Sequence, residues 1–315
     1  MQTLTYSIPM RTRFRGITVR EGMLLRGDAG WGEFSPFWDY DAQESRPWLD
    51  AANESASAGW PGPVRQRIPV NCTVPAVGPE RAAAVVRASA GCRTAKVKVA
   101  EPGQSLADDA ARVEAVRDAL GPTGRIRVDA NGGWDVDDAV RALRLLDRAA
   151  GGLEYAEQPT ATVEDLATVR RRVDVLVAAD ESIRRAHDPI RVKRLDAADV
   201  AVLKVQPLGG VRACLRIAEQ IGLPVVVSSA LETTIGIAAG VALAAALPEL
   251  PYACGLATTQ LLTADVVDAP LVPVDGELPV VLPQPSQDLS GVLADEQTAA
   301  RWADRLAQVR ATSAG

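Results

Sequence analysis

Lysine and histidine are scarce in this sequence. Lys and Arg together number 34 of its 315 residues, yet only four of them are lysine, and the one histidine is His187. Lysine can lose its proton and act as a base, whereas arginine stays protonated. A chain that uses arginine for almost every positive charge therefore has a specific need for its lysines, which are Lys96, Lys98, Lys193 and Lys204.

Cysteine is also rare, and its spacing argues against two kinds of site. The four cysteines are widely separated with no Cys-x-x-Cys pair, which disfavours a disulfide framework or a zinc site and is typical of a reducing cytoplasm. The most apolar run, residues 234–250, is too short to span a bilayer, and residues 1–16 lack the apolar core of a signal peptide. The net charge of −6 argues against a nucleic-acid partner or an anionic membrane surface. We therefore expect a cytoplasmic protein without nucleic-acid or membrane partners.

The pattern of the sequence changes near residue 66. Before it, residues 16–37 hold two strand-like runs around a Gly-Asp-Ala-Gly turn, which is typical of a β-hairpin, and residues 41–59 are helix-like. Residues 60–69 are rich in proline and glycine and indicate a domain boundary. After them, short apolar runs alternate about eight times with amphipathic helical stretches, which predicts a (β/α)8-type barrel. The C-terminal tail is typical of one amphipathic helix.

An open, doubly wound sheet is the alternative for any alternation of strands and helices. The first strand, however, is followed by no Gly-x-Gly-x-x-Gly motif. Polar residues also stand at the C-terminal ends of successive strands, where barrel enzymes place their active sites. These residues are Lys96, Lys98, Asp129, Glu157, Asp180, Lys204, Ser228, Ser229 and Glu232.

Three of these residues are acids on successive strands: Asp129, Glu157 and Asp180. Converging carboxylates repel one another, and a hard divalent cation relieves that repulsion. Because the ligands are oxygens and no Cys or His is placed nearby, Mg²⁺ fits best, with Mn²⁺ as an alternative ion. Any one of these acids alone is better explained as a helix cap or a loop ion pair, but three at matching positions predict a metal site.

Lys98 and Lys204 lie on strands that flank this site on opposite sides. A neighbouring cation lowers the pKa of a lysine toward neutrality, which suits a base. This arrangement predicts removal of a proton α to a carboxylate, while the metal holds the enediolate oxygens. The expected partner is a small carboxylate substrate.

At these residues the chain resembles the enolase superfamily, and within it the muconate-lactonising branch. The resemblance covers most of the chain and rests on an ordered set of short motifs: "GWGEFSP" (30–36), "KVK" (96–98), "VDAN" (128–131), "AEQP" (156–159), "AADES" (178–182), "LKVQPLGG" (203–210) and "SSALET" (228–233). It implies an α/β, enolase-like fold with a (β/α)7β barrel at 67–285. An α+β capping domain is expected from residues 1–66, to which residues 286–315 return.

Within that branch the chain is most similar to the short actinobacterial form of a dehydratase of menaquinone biosynthesis. The abbreviated segment before the barrel, "SSALETTIG" (228–236) and "ACGLATTQLLTADV" (253–266) carry this likeness. It implies a syn dehydration of 2-succinyl-6-hydroxy-2,4-cyclohexadiene-1-carboxylate to 2-succinylbenzoate.

The resemblance also implies a role for each residue that matches a motif. Lys98 is the expected general base and then the acid, Lys204 stabilises the enediolate from the other face, and Asp129, Glu157 and Asp180 bind Mg²⁺. The loop at residues 11–16 closes over the site, and Ser228 and Ser229 line the end that holds the succinyl group. The substrate-contacting or supporting residues are Lys96, Asn131, Glu181, Ser228, Ser229 and Glu232.

Several other functions share parts of this residue pattern. Racemisation of N-succinylamino or N-acylamino acids uses the same two lysines, so the lysines do not separate it from dehydration. Dipeptide epimerases of this branch carry Asp-x-Asp at the eighth strand, which "CGLATT" lacks, and acid-sugar dehydratases use a histidine base, whereas His187 lies in a loop-like sequence. A non-catalytic binding protein is disfavoured, because apolar residues would be more stable than buried like charges. The oligomeric state is left open, and a monomer is compatible with the sequence.

Overall fold

The computed structural model describes residues 2–185 and 188–312. His187, which the sequence places in a surface loop, lies outside the described residues.

The chain begins with a three-stranded antiparallel sheet. β1 (Thr3–Phe14) pairs with β2 (Ile17–Gly27), and β2 pairs with β3 (Gly30–Phe34), which confirms the hairpin predicted within residues 16–37. The register of β1 against β2 shifts between Pro9 and Phe14, and such an irregularity bends a hairpin before its tip. α1 (Arg46–Asn53) follows, and its last turn continues as a π-helix over Glu54–Ala58.

Short parallel strands then alternate with helices, as the sequence predicts. A seven-stranded sheet runs in chain order, flanked by a two-stranded ladder of β4 (Arg67–Pro69) and β12 (Glu277–Pro279). The seven strands are β5 (Cys72–Val74), β6 (Thr94–Lys98), β7 (Arg125–Asp129), β8 (Tyr155–Glu157), β9 (Val177–Ala179), β10 (Val200–Leu203) and β11 (Val225–Val227). The helices are α2 (Pro79–Arg87), α3 (Leu106–Leu120), α4 (Val136–Ala150), α5 (Val163–Arg170), α6 (Glu181–Arg184), α7 (Arg191–Arg194), α8 (Val211–Ile221), α9 (Thr234–Ala246) and α10 (Glu296–Ala311).

Two residues close this sheet into a barrel. On one side, Cys254 N donates to Pro69 O at 2.7 Å, and Asn71 N donates to Cys254 O at 2.9 Å. On the other side, Gly255 N donates to Val227 O at 2.8 Å. The eighth run of the sequence, residues 252–259, thus supplies a short bridge in place of a regular strand, and the ring is of the (β/α)7β type.

The two faces of the barrel strands differ in chemistry. The outward face is apolar: Ala95 and Val97 of β6 are fully buried against the helices, as the alternation of the sequence predicts. The inward face carries Tyr155 and small aliphatic residues at the N-terminal end and the lysines and acids at the C-terminal end. The charged groups are therefore concentrated at one mouth of the barrel.

α9 is apolar on all sides, and every residue from Thr234 to Ala245 is buried. The apolar run at residues 234–250, which is too short to span a bilayer, thus contributes a helix to the protein core. Across residues 2–185 and 188–312, no helix combines the length and apolarity that a membrane crossing requires. The four cysteines, all within these ranges, are buried and free.

A second hydrophobic core joins the N-terminal sheet to the C-terminal helix. Trp48 of α1 and Trp302 of α10 are fully buried in it, with Phe34 of β3 packed edge-on against Trp302. Leu231 and Ile235, which belong to the barrel, complete the same core. The N-terminal sheet, α10 and the segment after β11 therefore pack as one body.

Glu33 of β3 makes several buried polar contacts in this body. Its carboxylate, which is 2% exposed, accepts hydrogen bonds from Tyr6 Oη at 2.6 Å and from Thr233 Oγ1 at 2.5 Å. It also accepts from the backbone N–H groups of Thr233 and Gly236, both at 3.1 Å, at the start of α9. A carboxylate from the N-terminal sheet thus caps a helix of the barrel, where the helix dipole favours negative charge.

We predict that Glu33→Ala lowers the free energy of unfolding by about 3–5 kcal/mol, because it leaves several buried donors unpaired. Asp135→Ala is the matched control, since Asp135 caps α4 through one exposed bond to Asp138 N at 2.8 Å. Loss of such a cap costs about 1 kcal/mol. Chemical denaturation measures the free energy of unfolding of both variants. An equal loss of stability in the two would show that Glu33 is an ordinary helix cap.

Candidate active site

The strand register brings three of the predicted residues side by side. Lys98 of β6 pairs with Asp129 of β7, and Asp129 pairs with Glu157 of β8. Paired residues in parallel strands point to the same face, so these three side chains share the barrel mouth. Asp180 follows β9 directly and Lys204 follows β10 directly, which continues the row around the ring.

The chain turns sharply just after these positions. Ala100, Asn131 and Gln158 have positive φ angles of 58°, 47° and 41°. Left-handed backbone is unfavourable for residues other than glycine and asparagine, and it persists where surrounding contacts fix it. Gln158 shows such contacts, since its Oε1 accepts from Asp180 N at 3.0 Å and its Nε2 donates to Thr160 O at 2.8 Å.

Each predicted metal ligand is paired with a lysine. Lys96 Nζ lies 2.8 Å from Glu157 Oε1 and 3.1 Å from Asp129 Oδ2. Lys98 Nζ lies 2.6 Å from the same Oδ2 and donates to Asn131 Oδ1 at 2.5 Å. Lys204 Nζ lies 2.6 Å from Asp180 Oδ2, and all three acids are at most 1% exposed. The mouth of the barrel is therefore a buried network of alternating charges.

The pKa values show how these charges balance. Burial alone would raise the pKa of Asp129, but Lys98 and Lys96 hold it well below its usual range. Burial and then the neighbouring charge of Asp129 raise the pKa of Glu157, in spite of its contact with Lys96. The lysines therefore compensate Asp129 fully and Glu157 incompletely.

The pKa of Lys96 is set by its two acid neighbours. Burial lowers its pKa, but the carboxylates of Glu157 and Asp129 outweigh burial and raise the pKa well above its usual value. The neighbouring cations do not lower the pKa of Lys96, because a carboxylate lies between Lys96 and each of them. Lys96 is thus a fixed positive charge that holds two acids together.

Arg184 is the functional residue that sequence reasoning missed. Its Nε donates to Asp180 Oδ1 at 2.9 Å and its Nη2 to Glu181 Oε1 at 2.5 Å, while its Nη1 contacts Tyr40 Oη of the N-terminal region. Burial lowers the pKa of Arg184, but Asp180 and Glu181 raise it far above its usual value. The signal in the sequence is the spacing of Arg184 four residues after Asp180 at the start of a helix. Tyr40 has no comparable signal.

The residues at the mouth fit a divalent cation by their chemistry. The donors are oxygens of three buried carboxylates, and one of these, Glu157, is incompletely compensated. Glu181 Oε2 beside them is buried and has no hydrogen-bond partner within residues 2–185 and 188–312. The geometry differs from that of a loaded site, because lysine ammonium groups lie between the acids. No three His, Cys, Asp or Glu side chains in the described residues are grouped as metal ligands.

A cavity of about 50 Å³ lies above this network. Lys98 and Lys204 both line it, with Lys96, Asn131, Ser228 and Ser229 on its wall. The remaining lining residues are Phe14, Arg15, Phe37, Thr73, Arg184, Ala230, Leu231, Gly255 and Thr258. Lys98, Lys204, Asn131, Ser228 and Ser229, which the sequence predicts to lie together, therefore line one cavity.

Glu232, which the sequence predicts either to contact substrate or to support the residues that do, does not line the cavity. It is absent from the cavity wall, and its Oε2 accepts from Ala230 N at 2.8 Å. Burial and then the charge of Glu33 raise the pKa of Glu232 to about 7. Glu232 faces the N-terminal sheet because the chain reverses at Leu231, whose φ is 65°. Its contact holds the loop that carries Ser228 and Ser229.

Arg20 of β2 holds the same loop from the other side. Its Nε donates to Leu231 O at 2.9 Å and its Nη2 to Ala230 O at 3.3 Å and Ser35 Oγ at 2.8 Å. The side chain is buried, and its guanidinium lies over the Phe37 ring at 4.6 Å. A buried cation is here stabilised by backbone carbonyl groups, which fixes the unusual backbone at Leu231.

Comparison with known protein families gives two matches. Residues 5–56 match the model described as enolase N-terminal domain-like, and residues 80–285 match the model described as enolase C-terminal domain-like. Among solved structures, the muconate lactonizing enzyme of Pseudomonas fluorescens covers 96% of this chain and 97% of its own, at 24% identity and a TM-score of 0.77. The L-Ala-D/L-Glu epimerase of Bacillus subtilis covers 93% and 98%, also at 24% identity, with a TM-score of 0.76. These likenesses concern the fold.

Two curated relatives are much more similar in sequence. A protein of Thermobifida fusca named o-succinylbenzoate synthase is 68% identical over 97% of this chain and 95% of its own length. A protein of Mycolicibacterium smegmatis with the same name is 57% identical over 95% of this chain and 92% of its own. Both alignments include the strand ends that carry the lysines and acids.

We predict that Arg20→Met loosens the loop at residues 228–232, because the carbonyl groups of Ala230 and Leu231 lose their buried donor. The free energy of unfolding falls by about 2–4 kcal/mol, and hydrogen exchange of the amides of residues 229–233 rises. Arg117→Met is the control: Arg117 also donates to backbone carbonyls, at 2.5–2.8 Å, but on α3 away from the mouth. Arg117→Met should lower stability but leave amide hydrogen exchange at residues 229–233 unchanged. If exchange there rises equally in both variants, Arg20 does not hold this loop.

Proposed function

Because the chain belongs to the enolase superfamily, and within it to the family of the o-succinylbenzoate synthases, we propose that it dehydrates 2-succinyl-6-hydroxy-2,4-cyclohexadiene-1-carboxylate to 2-succinylbenzoate in menaquinone biosynthesis. This makes it an enzyme of the carbon–oxygen lyase class that acts on a small carboxylate. The observation that carries the proposal at the site is that Lys98 and Lys204 line one cavity above three buried acids.

Enolase-like enzymes generally use a divalent metal ion. We propose Mg²⁺ here, with Mn²⁺ able to substitute, because the oxygens of Asp129, Glu157 and Asp180 are hard ligands. When bound, the ion neutralises negative charge that develops on the substrate carboxylate. The chain positions these acids through contacts of its own: Asn131 N donates to Asp129 Oδ1 at 3.1 Å, and Arg184 and Gln158 hold Asp180.

Lys98 carries the proton transfers, and Lys204 stabilises the intermediate. The neutral amine of Lys98 removes the proton from the ring carbon that bears the carboxylate, and the electron pair of that C–H bond moves into the carboxylate as an enediolate. The ammonium group of Lys204 lies near this developing charge and stabilises it. The electrons then form the new ring double bond and break the adjacent C–O bond, and Lys98 returns its proton to the departing hydroxide as water. One lysine serves both steps because the proton and the hydroxyl leave from the same face.

The N-terminal region excludes water from this chemistry. Phe14 and Phe37 line the cavity, and the Phe14 ring lies 5.3 Å from Lys98 Nζ. Residues 1–66 are proposed as a capping domain, residues 67–285 as the catalytic barrel, and residues 286–315 as a return to the cap. A low-dielectric surrounding strengthens the interaction between Lys204 and the enediolate. We propose a cytoplasmic location, where such a pathway enzyme would meet its substrate.

Racemisation of N-succinylamino acids remains the alternative on the same residues. It too would use Lys98 and Lys204 on opposite faces of an enediolate. Identities of 54–68% to proteins named o-succinylbenzoate synthase favour dehydration. The N-succinyl Arg/Lys racemase of Bacillus cereus, at 21% identity, shares the fold.

We predict that Lys98→Arg lowers kcat for dehydration by about 10²- to 10⁴-fold, because a guanidinium keeps the charge but does not accept the proton. Loss of the ultraviolet absorbance of the cyclohexadiene substrate measures the rate. Lys193→Arg is the matched control, since Lys193 is a surface lysine that donates to Gln220 O at 3.0 Å, and its rate should stay within about twofold.

Two results would contradict this assignment. If Lys98→Arg turns over like the wild type, Lys98 is not the base. If the wild type leaves the cyclohexadiene intact but exchanges the α-proton of N-succinylamino acids in D₂O, the enzyme is a racemase.

We predict that Mg²⁺ raises the melting temperature of the wild type and not that of Glu157→Gln. Binding at about 100 times Kd adds about 2.7 kcal/mol to stability, and removal of one carboxylate removes a ligand. Glu154→Gln is the control, because Glu154 is a buried acid at the opposite end of the barrel, 2.5 Å from Arg127 Nε. Glu154→Gln should lower the melting temperature but keep the rise that Mg²⁺ causes. If Mg²⁺ stabilises Glu157→Gln as much as the wild type, Glu157 is not a ligand of the ion.

A further inference from the structure

The backbone around Lys98 is held by an ion pair of α3, from outside the barrel. Arg112 Nη1 donates to Lys98 O at 2.9 Å, and Asp109 Oδ2 accepts from Ala100 N at 2.9 Å. The two side chains also bind each other, with Arg112 Nη1 2.7 Å from Asp109 Oδ1. The pair thus contacts the chain on both sides of Val99, where the strand that carries Lys98 has just ended.

This ion pair is buried, and its hydrogen bonds reach the ends of two barrel strands. The side chain of Asp109 is 2% exposed and that of Arg112 is 1% exposed. Arg112 Nε donates to Val77 O at 2.7 Å in the segment after β5, and its Nη2 contacts Gln104 Oε1. Apolar residues would fill such a space at less cost than a buried ion pair. The presence of the pair therefore points to a use for its hydrogen bonds.

The chain bends sharply at the point that the ion pair holds. Ala100 has a φ of 58°, which is unfavourable for alanine and persists where surrounding contacts fix it. Asp109 supplies one such contact by accepting from the N–H of Ala100. Gly133 supplies another, since a Cβ atom there would lie only 2.9 Å from the Ala100 Cβ atom. The direction in which the chain leaves Lys98 is thus set by α3 and by close packing.

The backbone of Lys204 has a weaker contact with the helix that follows it. The Sγ atom of Cys214 in α8 lies 3.8 Å from Lys204 O. A thiol is a weak donor, whereas the guanidinium at Lys98 O makes a charge-assisted hydrogen bond. This difference matches the roles in the proposed function, because Lys98 moves a proton twice and Lys204 stabilises charge.

We propose that Arg112 and Asp109 are positioning residues that orient Lys98 toward the carbon it deprotonates, an inference that rests on the proposed function. Neither side chain lines the cavity, so both act on the reaction through the backbone around Lys98. The flexible four-carbon stem of a lysine places its amine reproducibly only where the backbone is fixed. Proton transfer needs the reacting atoms within hydrogen-bond reach, and a displacement of about 1 Å can lower a rate about 10²-fold.

The variant Arg112→Met tests this inference in the Mg²⁺-loaded full-length protein. We expect kcat for dehydration to fall about 10- to 100-fold, because the amine of Lys98 is no longer held in place. KM for the cyclohexadiene and the affinity for 2-succinylbenzoate should stay within about threefold, because the cavity wall is unchanged. Arg112→Lys should recover part of kcat, since an ammonium group can still donate to Lys98 O.

A second variant separates positioning from folding. Arg112→Met leaves Asp109 as a buried charge without its partner, which lowers stability. Asp109→Asn combined with Arg112→Met removes both charges and keeps a side-chain oxygen that can accept from Ala100 N. This double variant should therefore fold, yet it should show the same loss of kcat because Lys98 O has lost its donor.

Arg117→Met is the matched control on the same helix. Arg117 also donates to backbone carbonyl groups, but near the C-terminal end of α3, away from Lys98. Its loss should lower the melting temperature and keep kcat within about twofold. Cys214→Ala is the control at the other lysine, and it too should keep kcat within about twofold, since a thiol contributes little as a donor.

The scarcity of lysine provides a readout that does not depend on activity. Because the chain has four lysines, protein labelled with ¹³C-lysine gives four ε-methylene signals in a nuclear magnetic resonance spectrum, and Lys→Arg variants assign them. Arg112→Met should shift the signal of Lys98 and leave that of the surface residue Lys193 unchanged. Arg117→Met should leave both signals unchanged.

The outcomes distinguish this inference from the proposed function. If the wild type dehydrates the cyclohexadiene and Arg112→Met keeps its kcat, Arg112 does not position Lys98. If Arg117→Met or Cys214→Ala lowers kcat as much as Arg112→Met does, the effect is a general loss of packing and the inference is wrong. If the wild type dehydrates nothing, the proposed function fails and the signal of Lys98 decides: a shift in Arg112→Met alone supports the positioning, and an unchanged signal overturns it.

Discussion

The structure depends on the burial of three carboxylates at one mouth of the barrel. Asp129, Glu157 and Asp180 are at most 1% exposed, and charges in such a place need partners. Three lysines and Arg184 supply them, and each lysine contacts an acid at the end of a neighbouring strand. Register explains how this is possible, because parallel strands put Lys98, Asp129 and Glu157 in one row. Apolar residues would fill the same space at less cost, so this charge is maintained for chemistry.

The N-terminal region completes this mouth through polar contacts of the same kind. Glu33 caps α9, Arg20 holds the carbonyl groups of Ala230 and Leu231, and Tyr40 contacts Arg184 beside Asp180. Each contact joins a side chain of the first 66 residues to a barrel segment that carries a site residue or leads to one. The N-terminal region is therefore part of the machinery that fixes the loop of Ser228 and Ser229, in addition to covering the cavity. Displacement of this region would expose the charges and release the loop together.

The sequence predicts the parts of this protein that follow from local rules. Alternating apolar residues give the strands, Ser105 and Asp135 begin α3 and α4 as caps, and polar residues at strand ends locate the mouth. Strand β1, the contacts of Arg184 and the side to which Glu232 turns do not follow from such rules. Their causes are long-range: Glu232 turns away because Leu231 reverses the chain, and Arg184 acts through Tyr40, which lies far from it in sequence.

The pairing of lysines with acids links the metal site to the base. Lys98 donates to Asp129 and Lys204 donates to Asp180, so each of these lysines contacts a carboxylate that is a proposed metal ligand. A base must instead present a free electron pair to the substrate. The same carboxylate oxygens are the proposed ligands of the divalent cation. An acid that binds the cation no longer holds the lysine beside it, so cation binding would release the lysine toward the substrate. Strand register thus couples the proposed metal ligands to the proposed base, because Lys98, Asp129 and Glu157 lie in one row of paired residues.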